Sequence, residues 1–324
     1  PTPADYRLPY ALSKDYWLWQ RWVGEAVAPE PTAIAVLGDS VVWGEYVLPD
    51  GTLPHFLNRA TGASNRFVNA GVNGLFPLAL EGLVRDYSPA LHHRKVLLHA
   101  NVLWMSSPKA DLSTPKEEPF NHARLVPQFQ TRIPCYRADV NERLSAVLQR
   151  QIGFLAWVGH LQNAYFEQKS ILQWTLADDG GDPPRYPNVA RNPLARITCR
   201  VPVAPAIDPQ RGPASPRHQP WSATSKTPVG FDWVPLDASL QWQAFQRLVQ
   251  LLRDRHNDVL VVVGPFNEHL IAPESREGYR ALRDGIAAWL RAQRVPCVVP
   301  APLASELYAD ASHPLTAGYE ALAA

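Results

Sequence analysis

A serine hydroxyl attacks a carbonyl only when a base takes its proton, and the base works best when a carboxylate orients it. Three residues of this chain have the types and the spacing for that chemistry. Ser40 lies in Gly38-Asp39-Ser40, and Asp310 and His313 lie in Asp310-Ala311-Ser312-His313-Pro314. A separation of three residues within a turn brings the Asp310 carboxylate to the His313 imidazole while the ring faces Ser40. Taken singly, each residue has a plainer reading: Ser40 as a helix cap, Asp310 with Ser312 as a cap for the last helix. Asn101 is then an ordinary turn residue. Jointly those readings need too many coincidences.

Such residues must be delivered by elements that end at one place. Ala33 to Leu37 is short, apolar and rich in β-branched residues, and it stops at Gly38, so it is predicted to be a buried parallel strand presenting Ser40 at its carboxyl end. Arg66 to Asn69 is a second strand, followed by the glycine-containing turn Ala70-Gly71-Val72-Asn73-Gly74. Lys95 to Asn101 is a third, with Asn101 at its end. Helices are predicted at 53–60 and 78–87 between them. After a long gap the alternation resumes with a helix over about 237–255, a strand at 258–263, the loop Gly264 to His269, a helix over about 274–293 and a last strand at 297–299. Strand and helix in alternation imply a mainly parallel, doubly wound sheet with helices on both faces. Ligands bind in the crevice outside the carboxyl ends of such strands.

Around this frame, residues 1–30 form a helical extension whose Trp17, Trp19 and Trp22 cannot all lie on one face, so another part of the protein is expected to cover one of them. Residues 111–236 form an insertion. Asp139 and Glu142 resemble a capping box, and a helix from there is expected to run to about Trp174. Its portion from Ile152 to Val158 is apolar all round, which predicts burial, with contact at a membrane interface as the alternative. Residues 177–233 are rich in proline and arginine without sustained periodicity and are expected to wrap the domain.

Composition excludes several classes. The 324 residues are 46% hydrophobic, enough for a sizeable core, and 31 Lys and Arg against 30 Asp and Glu give no argument for a nucleic-acid partner or a general basic surface. Cys135, Cys199 and Cys297 are too far apart for a zinc motif; Cys135 and Cys199 can pair in an oxidising compartment, and Cys297 is expected to be a buried small hydrophobe. His92 and His93 are predicted to lie in a surface turn, and His99 has no assigned task. The only methionine is Met105, so a piece is expected to have been removed from the N-terminus. No run of about 18 apolar residues spans a membrane. The 11 tryptophans are expected to serve packing, with one or two available to stack on a sugar ring.

Gly38-Asp39-Ser40-Val41-Val42-Trp43-Gly44, the turn from Asn69 to Gly74, Asn101 after the third strand and Asp310 to Pro314 resemble, in order, the four blocks of the SGNH (GDSL-type) hydrolase superfamily. The third block departs from it: the usual Gly-x-Asn-Asp is His99-Ala100-Asn101-Val102. The resemblance covers roughly 31–110 and 237–324. It implies a flavodoxin-like three-layer α/β/α sandwich with a long insertion between the third and fourth strands. It also implies Ser40 as nucleophile, His313 as base and Asp310 as the orienting carboxylate. The backbone N–H groups of Ser40 and Gly74 and the Asn101 amide would form the oxyanion hole. Neither a cofactor nor a metal is implied. The segment from Gly264 to Leu270, with the insertion, is similar to the cell-envelope branch of alginate acetyltransferase-like and D-alanyl transfer proteins. The expected function is a serine esterase acting on O-acyl, above all O-acetyl, groups of a carbohydrate. A polysaccharide O-acyltransferase is the close alternative and a non-catalytic envelope scaffold the third. An extracytoplasmic site, an acylated small-molecule or polysaccharide substrate and peripheral association with the membrane or envelope go with these readings.

Overall fold

Five apolar runs form the strands, the first four closed by a glycine or a polar residue and the last followed by Val299 and Pro300: β1 (Ile34–Leu37), β2 (Phe67–Asn69), β3 (Lys95–Ala100), β4 (Asp258–Val263) and β5 (Cys297–Val298). In the computed structural model, which describes residues 5–28, 30–115, 122–130, 132–166, 169–176, 219–224 and 227–324, they pair in the order β2-β1-β3-β4-β5 and every pairing is parallel. Register is tight where it matters for the site: Leu37 lies opposite Leu98, and Ala100 opposite Val263. The sequences after β1, β2, β3 and β4 therefore emerge along one edge.

The described helices follow in chain order as α1 (Tyr16–Val27), α2 (Ser40–Trp43), α3 (Leu53–Ala60), α4 (Pro77–Tyr87), α5 (Val140–Gln151), α6 (Gly153–Tyr165), α7 (Ile171–Thr175), α8 (Trp221–Thr224), α9 (Leu240–Asp254), α10 (Arg276–Ala292) and α11 (Thr316–Ala323). Alternation along the strands sorts them to two faces. Ala35, Leu37, Val96, Leu98, Val261 and Val263 bury against residues of α1, α4, α9 and α10 in the main core. Val36 and Leu97 face the other way, onto Val42 of α2 and Leu57 of α3, and α11 packs beside α3 through Tyr319. That second face is less covered over β4 and β5, where Leu260 and Val298 are exposed.

The N-terminal stretch is built into the core rather than appended to it, since Tyr6, Leu8, Leu12, Trp19 and Trp22 all belong to the main cluster. Trp19 Nε1 donates to Ala70 O and Trp22 Nε1 to Asn69 O, so α1 grips the turn after β2. Trp17, which points off that face, stacks on His160 of α6 at 4.5 Å between ring centroids. Residues 122–136 are equally integrated: Leu125, Val126, Ile133 and Cys135 are buried in the same core. Asp111 accepts from Ser239 Oγ and from the backbone N–H groups of Leu240 and Gln241, holding the start of α9.

Three expectations are corrected here. The helix foreseen from Asp139 to Trp174 is three helices: Ile152, with an extended backbone (φ −113°, ψ 98°), separates α5 from α6, and α6 ends at Tyr165, with Phe166 (φ −120°, ψ 25°) as its C-cap, before α7 begins at Ile171. The capping box at Asp139 and Glu142 is present. The apolar run from Ile152 is not buried: Ile152, Phe154 and Trp157 are exposed, Phe154 to 65%. The break rotates α6 so that His160 and Leu161 turn inward, and Asp15 Oδ2 satisfies the imidazole at 2.8 Å. Cys297 is half-buried against the main core rather than fully buried, as it lies on the short edge strand β5. Cys135 is buried; Cys199 and the stretch 177–218 lie outside the described residues. His92 and His93 are exposed, as expected of a surface turn. Among the described residues no helix is long and apolar enough to cross a membrane.

Close approach of backbones is the constraint that glycine meets in α4. A Cβ on Gly82 would lie 2.0 Å from Leu125 O, so α4 packs directly on the 122–126 segment. Gly82→Ala is therefore expected to destabilise the protein by about 1–3 kcal/mol or more, the usual cost of overpacking. Gly159→Ala in α6, where an added Cβ meets nothing within 4 Å, is expected to be neutral or to stabilise by about 0.5–1 kcal/mol. Thermal denaturation of the two variants checks the pair; equal Tm values would contradict the docking of the 122–126 segment on α4.

Candidate functional site

β1 ends at Leu37, and Gly38 permits the next step: a Cβ there would lie 2.5 Å from Val42 Cγ2 and 3.0 Å from His99 Cβ. Asp39 then caps α2, its Oδ1 accepting from Val41 N at 3.0 Å, and Ser40 is the first helical residue. The far end of this single turn is clamped. Gly44 takes the left-handed conformation (φ +89°), and the Arg7 guanidinium donates to Trp43 O, Gly44 O and Val47 O while lying 4.0 Å over the Trp43 ring. Gly71 lies directly against the same turn, where a Cβ would fall 2.4 Å from Trp43 N. Ser40 is thus held by β1, by the turn after β2 and by the N-terminal segment.

The histidine arrives from the last loop. Tyr308 pairs with Pro314 across an isolated antiparallel bridge, and Ala309 N donates to His313 O, which closes residues 309–313 into a tight turn. Asn267, buried in the loop after β4, donates through its backbone N–H to Ala311 O and through Nδ2 to Asp310 O. The outcome is a continuous line: Ser40 Oγ lies 2.7 Å from His313 Nε2, and His313 Nδ1 lies 2.8 Å from Asp310. The structure brings together the three residues foreseen for this chemistry.

Charge state follows from the surroundings. Burial works to raise the Asp310 carboxyl, but His313 and the backbone N–H groups of Ser312 and His313 outweigh it, so it stays below the ordinary carboxylate range. Burial works to lower the His313 imidazole; Asp310, Glu45 and Asp39 outweigh it and hold the ring above its ordinary value. With Asp310 accepting from Nδ1–H, Nε2 of the neutral ring faces the Ser40 hydroxyl as acceptor, the tautomer a general base requires.

The residues foreseen as oxyanion donors lie on the turns that follow β1, β2 and β3 at this edge. Gly74 has φ +71°, and neither Gly74 N nor Ser40 N donates a hydrogen bond within the described residues. Asn101 is partly committed: Nδ2 donates to Asp39 Oδ2 at 2.9 Å and Oδ1 accepts from Leu103 N. An amide nitrogen carries two protons, so one N–H of Asn101 remains for a ligand.

Several residues of the site were not singled out from the sequence. Glu45 Oε2 lies 3.8 Å from His313 Nε2 and accepts from Asn73 Nδ2 at 2.8 Å, and the Tyr46 ring meets the imidazole edge-on at 5.3 Å. Their place just after the Gly44 turn is the only sequence signal they carry. His99, left without a task, lies beneath the site with Nε2 3.0 Å from Gly264 O and Nδ1 3.6 Å from Asp39 Oδ1. Its position two residues before Asn101 on one strand put it on the same face, and that signal was readable. Among the described residues no group of His, Cys, Asp and Glu is arranged to hold a metal ion.

The base must be neutral to act, so rate should rise with pH through the His313 pKa. The ascending limb of kcat/KM for an ester is expected above pH 6.5, because the ring is held above that value. Glu45→Gln removes one of the charges that hold it there and should move the limb to lower pH. A limb that does not move in that variant would show that Glu45 does not act on the imidazole. Comparison with protein-family models and with curated proteins finds no match for this chain, so its function has to be read from this geometry.

Proposed function

We propose that this protein is an SGNH-type serine esterase that cleaves O-acyl esters, foremost O-acetyl groups on a carbohydrate, through an acyl-enzyme on Ser40. The observation that carries the reading is the line Ser40 Oγ to His313 Nε2 to Asp310, placed at the carboxyl edge of a parallel sheet. The strand order and the helices on both faces agree with a flavodoxin-like sandwich, with the chain between β3 and β4 as its insertion.

In the first half-reaction Ser40 Oγ bonds to the acyl carbon as its proton passes to His313 Nε2, and the ester C=O becomes an oxyanion. The N–H groups of Ser40 and Gly74 and the remaining N–H of Asn101 face that charge; losing one such donor typically costs about 10²–10³ in kcat. Collapse of the intermediate expels the alcohol, which takes the proton back from Nε2. In the second half, Nε2 deprotonates water, the hydroxide attacks the acyl-Ser40 carbon, and the carboxylic acid leaves as Ser40 recovers its proton. Asp310 keeps the ring oriented and balances the imidazolium at both stages.

Transfer to a sugar hydroxyl uses the same steps with that hydroxyl in place of water. The Glu45 and Asn73 pair beside Nε2 favours this second reading, since it offers an acceptor and a donor to a hydroxyl approaching the base. Carbohydrate esters of a cell envelope suit both activities and an extracytoplasmic location, with attachment to the envelope or to a membrane surface. A non-catalytic scaffold has no use for the Ser40–His313–Asp310 line.

Two experiments test the proposal. A fluorophosphonate probe is expected to label Ser40, with labelling lost in Ser40→Ala and turnover reduced about 10⁴-fold or more in Ser40→Ala and in His313→Ala. Undiminished labelling of Ser40→Ala would place the nucleophile elsewhere. Incubation with a small activated acetyl ester, with and without an oligosaccharide, then separates the activities. Acetate release indifferent to the oligosaccharide supports hydrolysis, acetylated sugar that depends on Ser40 supports transfer, and no turnover of any ester supports the scaffold.

A further inference from the structure

His122 lies far from the triad in sequence and within the region between β3 and β4, yet it reaches the oxyanion edge. Its backbone has φ +63°, a left-handed conformation that non-glycine residues adopt at a cost and that often marks a functional constraint. The ring is buried between α1 and the turn after β2. Nδ1 lies 3.1 Å from Tyr16 Oη, and Nε2 lies 2.8 Å from Asn73 O. A carbonyl oxygen can only accept, so Nε2 carries the proton; Nδ1 is then the acceptor of the Tyr16 hydroxyl proton. Burial pushes the imidazole down to about 4, which keeps this single tautomer neutral.

Asn73 O belongs to the peptide whose nitrogen is Gly74 N. The bond is trans, so its C=O and N–H point in opposite directions, and fixing the oxygen fixes the N–H. Gly74, at φ +71°, has no Cβ to hold that peptide plane in place, and its N–H makes no bond of its own within the described residues. Asn73 is held a second time, through its side chain, by Glu45. We infer that His122 is a positioning residue for the oxyanion hole: Asn73 O fixes its tautomer, Tyr16 donates to its Nδ1 and holds the ring, its Nε2–H anchors Asn73 O, and the Gly74 N–H is thereby aimed at the developing oxyanion. The inference rests on the acyl-transfer reading of Ser40.

The test uses the whole protein and p-nitrophenyl acetate, after turnover has been shown to depend on Ser40. His122→Ala is expected to lower kcat about 10- to 100-fold at nearly unchanged KM, less than the loss of a donor outright, because the Gly74 N–H is misdirected rather than deleted. His122→Gln, whose side-chain amide can donate to Asn73 O, is expected to recover most of that loss. A merely structural role would lower Tm in His122→Ala without this split between kcat and KM and without rescue by glutamine. Tyr16→Phe keeps the ring packing but leaves Nδ1 without its donor and the imidazole less firmly held, so it should lower kcat about 2- to 5-fold, within the range of one lost neutral hydrogen bond, even if His122→Ala does not fold. Unchanged kcat in Tyr16→Phe and in a folded His122→Ala, or a loss that His122→Gln does not recover, overturns the positioning role alone. Wild-type turnover that survives Ser40→Ala overturns the reading of the site, and the role of His122 with it.

Discussion

A fully buried carboxylate, Asp39, is the interaction on which the arrangement around Ser40 depends. Burial works to raise it, yet His99, the Val41 N–H and the more distant His313 outweigh that and keep it ionised. An ionised carboxylate without water must find donors, and Asp39 finds them on two strands' ends at once: Val41 N after β1, Asn101 Nδ2 and Trp104 Nε1 after β3. Each of those donors is thereby fixed. The same charge caps α2, ties Asn101 to the residue before Ser40 and holds Trp104, whose ring meets Phe245 of α9. Removing one partner from such a buried group leaves the other uncompensated, which is why the pieces around Asp39 behave as a unit.

Above that charge, the site is assembled from loops that the sheet brings to one edge but does not itself connect. The turn from Ala309 to His313 is braced by Asn267 after β4, and Tyr308 Oη donates to Phe266 O in the same loop. α11 returns across the sheet, with Tyr319 Oη donating to Val41 O, one residue after Ser40. His313 therefore reaches Ser40 through two independent supports. Geometry within a few tenths of an ångström is what general-base catalysis requires, and single loops seldom hold it.

The chain outside the alternating strands and helices is part of the same machine. α1 grips the carbonyls of Asn69 and Ala70, Arg7 clamps the end of α2, and the 122–126 segment wedges against α4 at Gly82. The first two act on the turns after β1 and β2, where Ser40 and the Gly74 peptide lie, and the third on the helix that follows the β2 turn. The exposed apolar residues of α5 and α6, by contrast, have no such connection to the edge.

Sequence by itself marked out the strands, the helices between them, and Ser40, His313 and Asp310 as the residues that the fold then brings into line. Short β-branched runs closed by glycine read directly as parallel strands, and a reactive serine, histidine and carboxylate are chemically conspicuous at strand ends. Sequence also identified the capping box at Asp139 but not the break at Ile152, because an apolar run looks alike whether it continues a helix or faces solvent after a kink. Tertiary structure alone decided the partners of His99, Glu45 and His122. A histidine's task depends on what lies within about 3 Å of each ring nitrogen, and for these residues those atoms come from distant parts of the chain. His122 meets Tyr16 and Asn73 only because α1 and the turn after β2 are packed together around it, a contact that no local pattern of residues encodes.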